Sequence, residues 1–186
     1  MRIVAGSLKG RAIVAPEGQG TRPTSDRARQ AVFNVLEHAV WAQPLEGARV
    51  LDLFAGSGAL GFEAISRGAV FALFVETDDA ARGAIRENAD AWGLMGRTRV
   101  HRRSATDLGV RPGSAGEAFD LAIHDPPYGK GLGEQALASL IAGGWLNPGG
   151  IVVLEESQKA DVKDVAGLTL IDTRDYGDTK IRFYRG

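Results

Sequence analysis

The 186-residue chain is 44% hydrophobic and 24% charged, a balance that allows a folded domain with a sizeable core and excludes a disordered chain. It contains no cysteine, which removes disulfide frameworks, thiolate zinc sites and cysteine nucleophiles, including the one normally used to methylate carbon 5 of pyrimidines. Met1 to Gly6 lacks the apolar stretch of a secretory signal and no run approaches the roughly 18 apolar residues that span a bilayer, so the expected location is the cytoplasm, away from membranes.

The net charge of −1 hides an asymmetry. Residues 1–30 carry Arg2, Lys9, Arg11, Arg22, Arg27 and Arg29 against Glu17 and Asp26, a local +4 that leaves −5 for the rest. A basic arm on a mildly acidic body suits a phosphate-rich partner held at one end, although a solvated, mixed-charge surface has the same composition. Lys9, Arg11, Arg22, Arg27 and Arg29 are the candidate nucleic-acid contacts. The division that follows is a basic hairpin-and-helix extension over 1–40 and a catalytic body over 41–186.

Taken in order, Arg2 to Ala5 and Arg11 to Val14 read as two short strands around a Gly6–Gly10 turn. Pro16 to Pro23 is a loop. Thr24 or Ser25 then caps a helix with apolar positions Ala28, Ala31, Val32, Val35, Leu36 and Ala39. Arg22, Arg27 and Arg29 near its start oppose the helix dipole, an arrangement a bound anion would relieve. From residue 48 strands and helices alternate. Arg49–Phe54 is a nearly continuous apolar run typical of a buried parallel strand, followed by a glycine-rich turn and a helix to about Arg67. Val70–Val75 is the next strand, Asp78–Trp92 a helix, Thr98–Arg102 a weaker strand and Phe119–His124 a fourth. Leu132–Ala142 is helical, and Asn147–Gly150 turns into the strand Ile151–Glu155. Leu168–Arg174 and Thr179–Tyr184, joined through Tyr176-Gly-Asp, form a hairpin. Alternation predicts a doubly wound α/β sheet that finishes antiparallel, with no second domain.

Asp52-Leu-Phe-Ala-Gly-Ser-Gly-Ala-Leu-Gly61 places G-x-G-x-x-G between a strand and a helix, the context in which that motif binds a nucleoside-containing ligand. Glu76 ends the next strand, where a carboxylate accepts from both ribose hydroxyls. A dinucleotide and S-adenosylmethionine both fit so far. Asp52 favours the second: immediately before the loop, its charge would repel a pyrophosphate but attract the ammonium of a methionine moiety. Ser104-Ala-Thr-Asp107 follows the third strand, at the adenine edge in this architecture, though it reads equally as a capped turn. The candidate cofactor set is Asp52, Phe54, Ala55, Gly56, Ser57, Gly58, Glu76, Thr77, Ala105 and Asp125.

A buried strand ending in Asp125-Pro126-Pro127-Tyr128 is the most specific feature, because ligands of open α/β sheets bind at the carboxyl ends of strands. The exocyclic amine of guanine or adenine is a poor nucleophile, its lone pair being delocalised into the ring. Acceptors on both amine hydrogens, the Asp125 carboxylate and the Pro126 carbonyl, favour tetrahedral geometry and stabilise the developing charge. The prolines hold the turn rigid, Pro127 by fixing φ, and Tyr128 stacks on the base. A methyl sulfonium is already activated, so the chemistry requires no metal. Asp125, Pro126, Pro127 and Tyr128 are the catalytic candidates. His124 points to the other side of its strand and reads as packing, and Trp41, Trp92 and Trp145 read as core or interface residues.

With these residues in view, the chain resembles the bacterial small-subunit ribosomal RNA guanine-N2 methyltransferases, the RsmD family. The resemblance rests on Arg2-Ile-Val-Ala-Gly with Lys9-Gly-Arg11, Arg22-Pro-Thr with Asp26 and Arg29, Phe33-Asn34, Asp52-Leu-Phe-Ala-Gly-Ser-Gly, Asp125-Pro-Pro-Tyr and Tyr176-Gly-Asp-Thr. It implies a Rossmann-like class I fold with a seven-stranded mixed sheet, S-adenosylmethionine as donor and 16S rRNA, presented within an assembled or partly assembled small subunit, as substrate. The family usually has an aliphatic residue where His124 stands. The residues alone leave open an adenine-N6 methyltransferase of DNA or RNA and, more remotely, a nicotinamide-dependent dehydrogenase or a non-catalytic RNA-binding module.

Overall fold

The computed structural model describes residues 1–16 and 25–186, so the expectation for Arg22 lies outside the described residues. After helix α1 (Asp26–His38) the chain alternates β1 (Arg49–Leu53), α2 (Ala59–Ser66), β2 (Phe71–Val75), α3 (Asp79–Ala91), β3 (Thr98–His101), β4 (Phe119–His124), α4 (Leu132–Ala142) and β5 (Leu146–Ser157). It closes with the hairpin β6 (Thr169–Tyr176) and β7 (Thr179–Arg185). The seven strands form one sheet in the order β3-β2-β1-β4-β5-β7-β6. The first five run parallel, and β7 pairs antiparallel with both β5 and β6. Strand order reverses between β1 and β4, and open sheets of this kind bind their ligands at the carboxyl ends of the strands beside such a reversal.

Apolar side chains of the central strands β1, β2, β4 and β5 pack on both faces of the sheet. Val50, Phe74, Leu121, Ile123 and Phe183 pack with α1, α2 and α3. Leu51, Leu53, Phe119 and Leu154 pack with Leu137 and Leu140 of α4 and with Trp145. Trp41 and Trp92 lie partly buried against the first of these cores. Burial on both faces explains why the central strands read as continuous apolar runs rather than as alternating ones.

Two regions differ from the sequence reading. The N-terminal strands reduce to a single antiparallel bridge, Arg2 with Ala12. Their backbone is held by side chains of the body instead: Val4 N–H donates to Glu63 at 3.0 and 3.1 Å, Leu8 N–H to Ser66 Oγ at 2.9 Å, and Val14 exchanges two hydrogen bonds with Asn88. The expected turn at Asn147–Gly150 is absorbed into β5, which begins at Leu146. Its pairing with β4 skips from Leu146 to Ile151, so the extra residues form a bulge.

Ser25 caps helix α1, its hydroxyl accepting from Ala28 N–H. Its buried face includes Phe33 and, against expectation, Arg29, which is fully buried. The Arg29 guanidinium donates to Asp26 and to the Arg2 carbonyl. Asp26 in the first turn relieves the helix-dipole conflict internally. Arg29 therefore fastens the N-terminal segment to α1 and is not available to an RNA phosphate. Lys9, Arg11 and Arg27 are exposed.

Candidate active site

Sequence order brings the chemical groups together because β1, β2 and β4 are neighbours that end at the same edge. Asp52 is the penultimate residue of β1, Glu76 follows β2 and Asp125 follows β4. Strand alternation sends all three toward the face that carries α2 and α3. They are close enough to influence one another. Burial, above all, pushes the Asp52 carboxyl well above the usual carboxylate range; the charges of Asp125 and Glu76 raise it further, and the Gly61 amide opposes them.

Asp52 is 1% exposed and has two different oxygens. Oδ2 accepts from Gly61 N–H at 2.9 Å and so caps α2, whose own N-cap, Gly58, has no side chain to do it. Oδ1 is buried and has no hydrogen-bond partner among the described residues. A buried acceptor left in this state calls for a donor, and a cationic one suits it best. Space for a side chain is absent at Gly61: a Cβ there would lie 2.4 Å from Phe74 Cε1 and 3.2 Å from Asp52 Oδ2. Helix α2 can approach the strand only because this residue is glycine.

The loop between them is tightly turned. Phe54 adopts φ 58°, an outlying conformation for a bulky residue, and Gly56 and Gly58 follow at φ 56° and 80°. Glu76 spans the loop, accepting from Gly56 N–H and Asp78 N–H, both at 2.9 Å. Ala55 is buried, Ser57 half-buried with its hydroxyl 3.9 Å from the Met1 sulfur, and Thr77 exposed with its carbonyl accepting from Arg82. Ala105 is buried in the α4-side core, in a turn closed by Ser104 and Thr106.

At the end of β4, Asp125 is half-buried, Pro126 buried, Pro127 exposed and Tyr128 half-buried. The Tyr128 hydroxyl donates to Glu155 Oε1 at 2.7 Å and lies 3.0 Å from Thr179 Oγ1. Burial first, then Glu155, push its ionisation well above the ordinary tyrosine value, with the Thr179 hydrogen bond working against them. Gly129 N–H donates to Glu156 at 3.1 Å. Sequence reasoning missed Glu155, Glu156 and Thr179 as partners of this turn. The acidic pair at the end of β5 and the Tyr176-Gly-Asp-Thr segment were visible, but only the sheet order puts β7 beside β5.

His124 packs on the opposite face from Asp125, fully buried, its pKa lowered to about 3 by burial, with the Val153 backbone acting in the other direction. Neither ring nitrogen has a partner in hydrogen-bond geometry among the described residues.

A sheet of this order, with a glycine loop after β1 and its chemistry gathered at the β1/β4 crevice, defines the class I S-adenosylmethionine-dependent methyltransferase fold, and the chain is a methyltransferase of that class. Residues 1–185 match the model of the family described as Conserved hypothetical protein 95, and the chain belongs to that family. It is 31% identical to the ribosomal RNA small subunit methyltransferase D of Haemophilus influenzae, over 100% of this chain and 93% of the relative. The enzyme of the same name from Escherichia coli K12 is 33% identical over 100% and 89%. A solved Escherichia coli chain, yhhF, named as a candidate methyltransferase, superposes with TM-score 0.82 at 31% identity, covering 100% of this chain and 97% of that one.

Proposed function

We propose that this protein transfers a methyl group from S-adenosylmethionine to the exocyclic N2 amine of a guanine in 16S rRNA, presented within an assembled or partly assembled small subunit in the cytoplasm. The observation that carries the reading is the convergence of Asp52, Glu76 and the Asp125-Pro-Pro-Tyr128 turn on one edge of the sheet. The names of the relatives support the substrate.

The cradle fits the donor. Asp52 Oδ1, unpartnered among the described residues, suits its ammonium, Glu76 suits its ribose hydroxyls, and the turned backbone of Phe54 to Gly58 admits a close approach. Ala105 and Thr77 would flank the adenine. When bound, the donor supplies a methyl carbon made electrophilic by a positively charged sulfur.

The chain's own residues do the rest. Asp125 and the Pro126 carbonyl accept the two amine hydrogens, drawing nitrogen toward tetrahedral geometry and stabilising its positive charge. Pro127 and the buried Pro126 restrict the turn, so both acceptors are oriented before the base arrives. The half-buried ring of Tyr128 offers a stacking face to a base flipped out of its helix. Lys9, Arg11 and Arg27, with Arg22, hold phosphates on the 1–40 extension.

Mass mapping of 16S rRNA from cells lacking this protein tests the reading. One methylguanosine should disappear and should return with the wild-type chain but not with Asp125→Ala. An unchanged set of 16S modifications refutes it, and loss of an N6-methyladenosine instead reassigns the base.

A further inference from the structure

The Tyr128 hydroxyl serves no step of the transfer, yet two buried side chains engage it. Glu155, 8% exposed, and Thr179, 6% exposed, approach it from two different strands. With its single proton given to Glu155 Oε1, the phenol oxygen takes Thr179 as a donor. The next residue is fixed as well: Gly129 N–H donates to Glu156 Oε1, which also accepts from Ser157 N–H at 2.7 Å. Consecutive residues of the turn are thus gripped by consecutive carboxylates of β5. Those carboxylates point to opposite faces of the sheet, so the turn straddles the strand end. Thr179 opens β7 and is paired with Ser157, and it closes the Tyr176-Gly-Asp-Thr segment to which the catalytic scheme gives no part.

We propose that Glu155 and Thr179 are positioning residues for methyl transfer: they clamp the Tyr128 hydroxyl so that its ring presents one fixed face to the target base, in register with Asp125. Stacking uses the ring face and the clamp uses the hydroxyl, so the two do not compete. A freely rotating ring would lose this entropy on each encounter with RNA; a clamped ring has lost it during folding. The C-terminal hairpin is then part of the substrate site. The inference rests on the function proposed above.

A kinetic double-mutant cycle on 16S rRNA in small subunits tests it. Thr179→Val should lower kcat/KM for RNA by roughly 2- to 10-fold, as for a neutral hydrogen bond, and Tyr128→Phe by roughly 10- to 100-fold, as for one made to a charged group. Thr179→Ser should restore the wild-type rate, and Thr179→Val should cost nothing further once Tyr128→Phe is present. Donor Kd should stay within twofold throughout. A substrate-independent readout comes from fluorine NMR of protein labelled with 3-fluorotyrosine, since the chain has three tyrosines. The Tyr128 line should move in Thr179→Val and Glu155→Gln, while that of Tyr184 stays. Independent, multiplying losses, or losses matched by weaker donor binding, overturn the proposal, as does a Tyr128 line indifferent to both changes. If the wild-type protein methylates no rRNA while the line still moves, the clamp exists but the substrate reading fails, and the catalytic role falls with it.

Discussion

Asp52→Asn separates stability from function at one buried side chain. The asparagine keeps an acceptor for Gly61 N–H, now at 2.9 Å, so the cap on α2 survives. What it removes is a charge whose other oxygen is buried without a partner among the described residues. Without donor, that charge is a burden: burial, Asp125 and Glu76 all raise the carboxyl's pKa. For an acid whose folded pKa lies above its unfolded value, the folded state holds the proton more tightly. The stabilisation is full below the unfolded pKa and is lost as pH rises through the folded one. At neutral pH the variant should therefore melt above the wild type, and the gap should close as pH falls toward the ordinary carboxylate range. With donor present the order reverses. One charge-assisted hydrogen bond contributes about 1.5–3 kcal/mol, so Asp52→Asn should weaken S-adenosylmethionine binding by roughly 10- to 150-fold. Calorimetric titration and thermal melts with and without donor measure both effects on one preparation. A variant that binds donor within twofold of wild type, or that melts lower without it, would refute the assignment of Asp52 to the ammonium.

Four further outcomes are expected. Gly61→Ala drives a Cβ to 2.4 Å from the Phe74 ring; overpacking of this kind costs about 1–3 kcal/mol, and the melting temperature should fall by roughly 2–12 °C. Asp125→Ala should cut turnover by about 10²–10³ with donor Kd little changed, as measured by single-turnover methyl transfer. Lys9→Ala, Arg11→Ala and Arg27→Ala combined should weaken RNA binding and flatten its salt dependence by as many as two to three counterions, roughly 0.7–0.9 for each phosphate no longer neutralised; equal slopes in filter-binding series refute the arm. His124→Leu should remove an acid sensitivity. The buried imidazole's pKa falls from 6.5 to about 3, so the folded state binds fewer protons than the unfolded one, and stability contributed above pH 6.5 is lost on acidification. By pH 5 that amounts to about 2 kcal/mol, which should appear as a wild-type melting loss absent from the leucine variant.

What was legible in the sequence was whatever is encoded locally. The glycine loop, the acid ending β2 and the Asp-Pro-Pro-Tyr turn each lie within a few consecutive residues, and the alternating rule for parallel strands places their ends side by side without any knowledge of side-chain packing. Arg29 and the grip on Tyr128 were not legible, for the same reason in both cases. An arginine three residues after an aspartate in a basic segment reads as a surface cation. It turns inward only because the N-terminal segment folds across α1 and offers the Arg2 carbonyl, a contact spanning 27 residues. Glu155 lies 27 residues from Tyr128, and Thr179 lies 51. A sequence pattern reports which chemistry a chain can perform, whereas the residues that hold that chemistry still are recruited by topology. In this fold the recruiting element is β7, the one strand inserted against the direction of its neighbours, and it delivers a hydroxyl from the end of the chain to the aromatic ring on which the substrate base is proposed to rest.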